Sequence, residues 1–181
     1  MSDKAEAQEK EEDCNSLSTP INKDSIMYSE YRDESQLKRI ISLIEAHLSE
    51  PYPVYTYRYF LHGWPELSLL ALHDSLIVGV IICKVSKHKN HSTNTTTTRG
   101  YIGMLAVDLK YRRLRIASTL VRKALDVMKN NGAHECVLET ELDNIAALKL
   151  YQGKYAYLLF YSWIFMQVLG LLEINACLLI I

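Results

Sequence analysis

The sequence lacks the cysteine patterns that mark a zinc site or a disulfide framework. It contains four cysteines in 181 residues, and they are far apart, with no Cys-x-x-Cys pair. No metal is therefore expected. Two of them, Cys83 and Cys136, lie in apolar runs that are typical of core strands. A reducing compartment is the simplest expectation, so the protein is predicted to be cytoplasmic.

The sequence also has no excess of positive charge and no leader-like N-terminus. Its formal net charge of -1 argues against a generally basic nucleic-acid binder, so no direct contact with nucleic acid is expected. Residues 1–25 are acidic and polar, which predicts a disordered segment and no signal peptide. Because 49% of all residues are hydrophobic, the rest can bury a sizeable core. One domain is expected over 26–153, followed by a hydrophobic tail over 154–181.

Apolar spacing along the chain predicts strands alternating with helices. The predicted strands are 26–32, 67–72, 77–85, 101–107 and 136–141, and the predicted helices are 34–48, one that begins near Ile116, and 145–152. Between two of these strands, the threonine-rich stretch 87–99 is predicted to be a loop.

A basic turn joins the strand 101–107 to the helix that follows it. Arg112, Arg113 and Arg115 lie within four residues, directly before Ile116, where the helical spacing begins. The N-terminus of a helix exposes unpaired N–H groups and the positive end of the helix dipole, and so it can bind a phosphate. Arginines at a strand–helix junction are also common as solvated surface residues. The residues alone leave both interpretations open.

Aromatic residues crowd the connection that follows the first helix. Four tyrosines and one phenylalanine lie in residues 50–60, and Pro51 and Pro53 favour an extended path for its first part. In one interpretation these rings cover the core, because aromatic side chains bury much area. In the other they form a rigid wall around an apolar guest.

The last part of the chain is unusually apolar. No charged residue occurs between Tyr155 and Leu172, and the apolar run resumes after Glu173. About 20 apolar residues suffice to span a bilayer, although only Lys154 flanks the run as a basic residue. Buried strands, a membrane anchor and a non-native terminus are all compatible with this pattern.

The strand–turn–helix stretch resembles the signature of the GNAT superfamily of acyl-CoA N-acyltransferases. That signature is Arg/Gln-x-x-Gly-x-Gly/Ala after a strand, and residues 112–117 (RRLRIA) take its place here. Further motifs narrow the resemblance to the catalytic subunits of NatC-type N-terminal acetyltransferases. They are EPY at 50–52, YTYRYF at 55–60, WP at 64–65, GYI at 100–102, MLAV at 104–107, YRR at 111–113, LETE at 138–141 and ALKLY at 147–151.

The resemblance implies a mixed α/β fold, with a twisted, mostly antiparallel sheet flanked by helices. Its fourth and fifth strands are expected to splay apart and admit acetyl-CoA. The implied reaction is direct transfer of an acetyl group from acetyl-CoA, the co-substrate, to the α-amine of nascent proteins that begin with Met followed by Leu, Ile or Phe. NatC-type enzymes work at the ribosome with auxiliary subunits, so these are the expected partners.

The resemblance also assigns roles to individual residues. Glu139 is the implied general base and Tyr151 the implied general acid. The implied cofactor-binding residues are Leu105, Ala106, Val107, Arg112, Arg113, Arg115, Ile116, Ala117 and Asn144, and the implied peptide-binding residues are Tyr52, Tyr55 and Tyr57. The backbone N–H groups of 105–107, where the family's strand carries a bulge, are expected to polarise the thioester carbonyl. By strand alternation, Glu141 shares a face with Glu139 and is the competing base.

Two features depart from the family pattern. Arg115 stands where the signature has glycine, which permits close approach of the backbone to the pyrophosphate, so weaker but not absent binding of acetyl-CoA is expected. If the backbone there needs a positive φ, a non-glycine residue also costs about 1 kcal/mol or more. After Tyr151 the family continues with two strands, whereas here the apolar tail takes their place. If the tail is a non-native terminus, two strands are missing and an unpaired sheet edge is expected. Two alternatives to an active enzyme therefore stand: an inactive truncated isoform that only binds the auxiliary subunit, and a tail-anchored membrane protein.

Overall fold

Six strands and four α-helices, together with four short 3-10 helices, form the described part of the chain. The computed structural model describes residues 22–47, 52–90, 94–141, 144–152 and 174–180. The strands are β1 (Met27–Glu30), β2 (Ser68–His73), β3 (Leu76–Asn90), β4 (Thr95–Val107), β5 (Glu135–Glu141) and β6 (Ile174–Ile180). The helices are α1 (Leu37–Glu45), α2 (Val54–Gly63), α3 (Ile116–Asn130) and α4 (Ile145–Gln152). The expectations for residues 1–21 and 153–173 fall outside these ranges.

The strands form one mixed sheet in the order β1–β2–β3–β4–β5–β6. Within this described sheet, β4 and β5 run parallel and every other neighbouring pair is antiparallel. A parallel pair needs a crossover connection, and α3 supplies it. This arrangement confirms the predicted α/β class, a mixed sheet flanked by helices.

The last strand of the sheet comes from the apolar tail. β6 pairs antiparallel with the whole of β5, from Ile180 opposite Glu135 to Ile174 opposite Glu141. The expectation of an unpaired edge at β5 is therefore wrong. An edge strand presents a row of unsatisfied backbone groups, and an apolar segment of the same chain can pair with them. Among the described residues, no helix is both long enough and apolar enough to cross a membrane.

Two apolar layers, one on each face of the sheet, hold the helices in place. α3 covers one face, and we call the buried apolar residues on this face the α3 layer. They include Ile116, Leu120 and Met128, which are buried at helical spacing. α1 and α2 cover the other face, and Ile40 and Tyr57 are fully buried in this α1–α2 layer. Strands that are covered on both faces need apolar side chains in both directions, which explains the nearly continuous apolar runs in β2 and β3.

A β-bulge at Gly103 reverses the alternation of side chains along β4, so that residues on either side of it face opposite sides of the sheet. The β3–β4 register shifts by one residue between Ile102 and Met104, which leaves Gly103 as the extra residue. Ile102 therefore packs in the α3 layer, whereas Met104 packs in the α1–α2 layer. The family resemblance placed the bulge at 105–107, and it lies before them instead. A Cβ at Gly103 would approach the Phe60 ring to 3.1 Å, so glycine suits the position.

The aromatic connection is helical rather than extended over most of its length. α2 begins directly after Pro53, which is its N-cap residue. Tyr57, Phe60 and Leu61 are buried at positions i, i+3 and i+4, the pattern of an amphipathic helix. The prolines suggested an extended path, but proline is tolerated at the start of a helix, where its missing N–H is not needed.

The threonine-rich stretch continues the β3–β4 hairpin instead of forming a long loop. β3 extends to Asn90 and β4 begins at Thr95, with Lys89 opposite Thr96 and His88 opposite Thr97. Threonine is β-branched and favours strands. The prediction of a loop over 87–99 is therefore wrong, because the strand propensity of threonine outweighs the low complexity of the stretch.

The parallel junction of β4 and β5 carries a charged pair. The Arg99 Nε donates a hydrogen bond to the Glu135 Oε1 over 2.7 Å, and the Thr97 hydroxyl donates to the same oxygen over 3.2 Å. Burial raises the pKa of Glu135, but the bonds from Arg99 and Thr97 outweigh it, so the net pKa is lowered. The pair therefore stabilises the fold fully above the unfolded-state pKa of about 4.3, and this contribution is lost as the pH falls through the lower folded-state pKa.

Glu135→Gln is expected to lower the free energy of unfolding by about 1 to 2 kcal/mol near neutral pH. The difference from the native protein should shrink in acid, because both proteins then lack a charged carboxylate at this position. Urea denaturation at neutral and at acid pH measures it. A difference of equal size under both conditions would contradict the ionic origin of the stabilisation.

Candidate active site

A cleft opens where β4 and β5 diverge. Their parallel pairing runs from Arg99 opposite Glu135 to Ile102 opposite Leu138 and ends there. β4 then continues beside β3 to Val107, and β5 continues beside β6. The space between the two strand ends is a cavity of about 630 Å³, a size typical of small-molecule and cofactor sites.

Most of the residues singled out from the sequence line this cleft. They are Tyr52, Leu105, Ala106, Val107, Arg112, Arg113, Arg115, Ile116, Ala117, Glu139, Asn144 and Tyr151. The end of β4, the basic turn, the end of β5 and α4 therefore meet at one cavity. Segments that are up to about a hundred residues apart in sequence contribute to it.

The basic turn forms the positively charged end of the cleft. Arg113 and Arg115 both have a left-handed backbone, with φ of 67° and 62°, and Arg115 is the N-cap of α3. These angles turn the chain sharply into the helix, so the cationic side chains and the first N–H groups of α3 belong to one short segment. Such a helix N-terminus suits an anionic ligand.

Side chains behind the basic turn buttress it. Arg39 on α1 donates from Nε to the Ile77 carbonyl over 3.0 Å and lies 3.4 Å from the Asp108 carboxylate. The Arg112 Nη2 lies 3.4 Å from the His47 Nδ1. Burial, and then the positive charge of Arg112, lower the pKa of His47. A neutral His47 can accept a hydrogen bond from the Arg112 guanidinium at neutral pH.

Glu139 forms the opposite, negatively charged end of the cleft. It is exposed on β5, one residue past the last β4–β5 pair. Tyr101 is half-buried; burial raises its pKa, and the nearby charge of Glu139 and then Tyr52 raise that pKa further. Glu139, Tyr101 and Tyr52 therefore share one electrostatic environment. The side chain of the competing Glu141 lies outside the described residues.

α4 contributes a third wall of the cleft. Asn144 caps this helix, since its Oδ1 accepts a hydrogen bond from the Ala147 N–H over 3.0 Å. Tyr151 lies two helical turns farther on and is only 4% exposed, packed in the α3 layer beside the cavity. The helix thus presents both residues to the same space.

Two of the three predicted peptide-binding tyrosines do not reach the cleft wall. Tyr55 is 77% exposed, and Tyr57 is fully buried in the α1–α2 layer. Tyr57 packs edge-on against Tyr52, with ring centroids 6.3 Å apart. Because this segment is a helix, its tyrosines point in several directions, and only Tyr52, which precedes α2, faces the cavity.

Several residues at this site received no role from the sequence, although Tyr101, Tyr111 and Thr140 belong to motifs of the family resemblance. His47, Tyr111, Ser118 and Thr140 line the cleft, and Tyr101 lies near Glu139. Ser118 and Thr140 are sequence neighbours of predicted residues, so adjacency alone could have suggested them. His47 comes from the end of α1 and carries no pattern that marks it.

A family comparison covers the whole of this cleft. The sequence pattern described as the Acetyltransferase (GNAT) family matches residues 28–156. The chain belongs to the GNAT family of acetyltransferases. GNAT acetyltransferases use acetyl-CoA, and the matched residues include every predicted site residue.

Curated relatives of this GNAT chain carry the name N-alpha-acetyltransferase 30. The protein from Xenopus laevis is 49% identical over 139 residues, which cover 77% of this chain and 49% of the relative. The protein from Schizosaccharomyces pombe is 52% identical over 116 residues, which cover 64% of this chain and 74% of the relative. The chain therefore spans about half the length of the first relative and about three quarters of the second.

Solved structures share the GNAT fold of this chain. A chain in the crystal structure of the NatC complex bound to Gag peptide and CoA matches with a TM-score of 0.71 and 38% identity, covering 87% of this chain and 99% of that one. Arabidopsis thaliana Naa50 in complex with the bisubstrate analogue CoA-Ac-MVNAL matches with a TM-score of 0.59 and 26% identity, covering 71% of this chain and 80% of that one. The fold around the cleft is thus that of N-terminal acetyltransferases.

The left-handed backbone at Arg115 confirms that the glycine position of the GNAT signature needs a positive φ here. Arg115→Gly is expected to raise the free energy of unfolding by about 1 kcal/mol and to lower KM for acetyl-CoA, because glycine relieves the strain and opens the backbone to the ligand. Urea denaturation and steady-state kinetics measure the two effects.

Arg113→Gly is the matched variant for this test. It relieves a similar left-handed strain outside the glycine position of the signature, so it should stabilise the fold without lowering KM. If Arg115→Gly leaves KM unchanged or raises it, the Arg115 guanidinium contributes more to binding than backbone access does.

Proposed function

We propose that this GNAT chain is a peptide α-N-acetyltransferase that moves the acetyl group of acetyl-CoA directly to the α-amine of nascent proteins beginning Met-Leu, Met-Ile or Met-Phe. One observation carries the proposal. A single cleft joins a cationic end at Arg112, Arg113 and Arg115 to the carboxylate of Glu139 through the gap between β4 and β5. Such a cleft fits a donor with phosphates at one end and a thioester at the other.

The cationic end holds the phosphates in this proposal. The guanidinium groups of the basic turn supply charge, and the backbone N–H groups of Ile116 and Ala117 lie in the first turn of α3, where helix amides have no partner within the helix. Asn144 lines the same cavity from α4. When bound, acetyl-CoA supplies a thioester carbonyl that is open to attack by an amine.

The open side of β4 polarises that carbonyl. In the described sheet, β4 has no strand partner beyond Ile102 on the side that faces β5, and Leu105, Ala106 and Val107 line the cleft there. N–H groups fixed in a sheet are oriented in advance toward a developing negative charge, and one such donor contributes about 10²-fold or more to a rate.

Two side chains move protons in this proposal. A peptide α-amine has a pKa of about 7.7–8.0, so a modest base is enough to remove its proton. Glu139 is exposed at the end of β5 and accepts this proton directly or through one water. Tyr151 lies in the α4 wall and donates a proton to the departing thiolate.

The aromatic side chains near Glu139 favour an apolar N-terminus. Tyr52 lines the cleft, and Tyr101 stacks on Phe60 with ring centroids 6.3 Å apart and planes at 21°. Burial of a Leu or Phe side chain against such rings contributes about 1.5–3 kcal/mol. This supports a preference for a bulky apolar residue after the initiator Met.

We further propose that the chain works at the ribosome in the cytoplasm, together with NatC-type auxiliary subunits. The support is its likeness to nearly the whole of one chain in a solved NatC complex. In this proposal residues 26–153 are the acetyltransferase domain and residues 1–25 precede it. The apolar tail 154–181 follows it and adds the edge strand β6 to the sheet of that domain.

The test is an acetyl-transfer assay with the full chain, alone and combined with its auxiliary subunit. Mass spectrometry follows the acetylation of a Met-Leu peptide and of a matched Met-Asp peptide. The Met-Leu peptide should react at least about tenfold faster, the scale on which an apolar pocket discriminates. The proposal fails if neither peptide is acetylated by a protein whose circular dichroism shows a folded α/β domain.

A further inference from the structure

A tertiary hydrogen bond joins the β2–β3 hairpin to the basic turn. The Tyr111 hydroxyl lies 3.1 Å from the His73 Nδ1, although the two residues are 38 positions apart in sequence. Their rings also pack together, with centroids 5.3 Å apart and planes at 59°. Both residues are half-buried, so the contact is shielded from full competition by water.

Tyr111 stands at the start of the strained part of the basic turn. Its N–H donates to the Asp108 carbonyl over 2.9 Å, and the residue lines the cleft. Arg112 and Arg113 follow and are exposed, and Arg113 has φ of 67°. Tyr111 before them and Leu114 after them pack against the α3 layer. The two arginines are therefore held in place from either end.

His73 is held by a tight hairpin turn. It is the last residue of β2 and pairs with Leu76 at the start of β3. Between them, Asp74 and Ser75 have φ of 47° and 67°, the left-handed pair that a two-residue hairpin turn needs. The Asp74 carboxylate lies 3.7 Å from the His73 Nδ1. The hairpin thus presents His73 at a defined place beside Tyr111.

We propose that His73 is a positioning residue for the acetyl-CoA site. It holds the Tyr111 hydroxyl and thereby fixes the start of the basic turn. The turn in this way orients the arginines that bind the phosphates of acetyl-CoA. The inference rests on the proposed function. A left-handed arginine at 113 is unfavourable by itself, and such conformations persist where the surrounding structure over-determines them. The bond between His73 and Tyr111 supplies that constraint.

A double-mutant cycle with His73→Ala and Tyr111→Phe tests this role. Calorimetric titration measures the affinity of each variant for CoA and for pantetheine, which lacks the phosphates. Each single variant should bind CoA about threefold to tenfold more weakly, the effect of one lost hydrogen bond. The double variant should be no weaker than the weaker single one, because both changes remove the same contact. Affinity for pantetheine should not change.

Two further variants control for packing. His73→Asn, whose side-chain amide can take the place of the imidazole Nδ1, should recover most of the lost affinity. His134→Ala removes an exposed histidine that lies outside the cleft and should bind CoA like the native chain. In kinetic assays His73→Ala should raise KM for acetyl-CoA while kcat stays nearly constant.

The outcomes separate this inference from the proposed function. Native-like CoA affinity in His73→Ala, additive effects in the double variant, or equal weakening toward CoA and pantetheine would overturn the role of His73 and leave the acetyltransferase proposal standing. If the native chain binds no CoA at all, both proposals fail.

Discussion

Glu139→Gln is expected to lower kcat by about 10²- to 10⁴-fold, the usual contribution of a general base. Glutamine keeps the size of the side chain but cannot accept the amine proton. The carboxylate lies in the cleft one residue past the last β4–β5 pair, and its charge raises the pKa of Tyr101. Calorimetric affinity for acetyl-CoA should stay nearly native, because the cationic end of the cleft is formed by other residues.

Glu141→Gln is the paired variant for this experiment, since Glu141 is the competing base on the same strand. Steady-state rates with a saturating Met-Leu peptide distinguish the two carboxylates. A second signature belongs to the base alone: the rate of Glu139→Gln should recover in part above about pH 8, where the α-amine loses its proton without help. A native rate in Glu139→Gln, together with a large loss in Glu141→Gln, would move the role to Glu141.

Tyr151→Phe is expected to lower kcat by about 10²-fold, the lower end of the range for acid–base catalysis. The smaller effect follows because a thiol, with a pKa of about 8.5, leaves as a moderately stable thiolate even without a donated proton. Phenylalanine keeps the ring that packs in the α3 layer, so the fold should survive. Single-turnover measurements with the Met-Leu peptide report the chemical step directly.

Tyr31→Phe is the matched control, because Tyr31 is also a buried tyrosine but lies in the α1–α2 layer away from the cleft. Its rate should equal that of the native chain. Thermal denaturation of both variants is the second readout. A fall in rate of Tyr151→Phe that is matched by a large loss of stability would assign the hydroxyl a structural role instead.

The parts of the fold that could be predicted are those whose pattern is local. Ile116, Leu120 and Met128 repeat at helical spacing and are all buried on α3, and residues 145–152 form α4 with the predicted bounds. The basic turn could also be predicted, because a strand, a cluster of arginines and a helix follow one another directly in the sequence. The family signature then identified the position of Arg115, whose positive φ the structure confirms.

The parts that could not be predicted depend on contacts between distant segments. β6 forms because β5 offers it an open edge, and nothing in the apolar tail itself specifies that partner. The sequence did not predict α2, because the two prolines before its first turn favour an extended path and its apolar repeat is short. His47 takes its place at the site only through tertiary packing, so no spacing along the chain reveals it. Tyr101 and Tyr111 belong to motifs of the resemblance, but their contacts at the site also depend on packing between distant segments.

The narrow junction between β4 and β5 predicts that a ligand bound in the gap stabilises the fold. Four residue pairs join the strands, and beyond Ile102 and Leu138 no ladder connects β1–β4 with β5 and β6 in the described sheet. A molecule bound in the gap contacts β4 on one side and β5 on the other, and so it links the two parts of the sheet. A ligand present at 100 times its Kd adds about 2.7 kcal/mol to the free energy of unfolding. If acetyl-CoA binds there as proposed, the stability of the folded chain should rise with the concentration of acetyl-CoA in the cell.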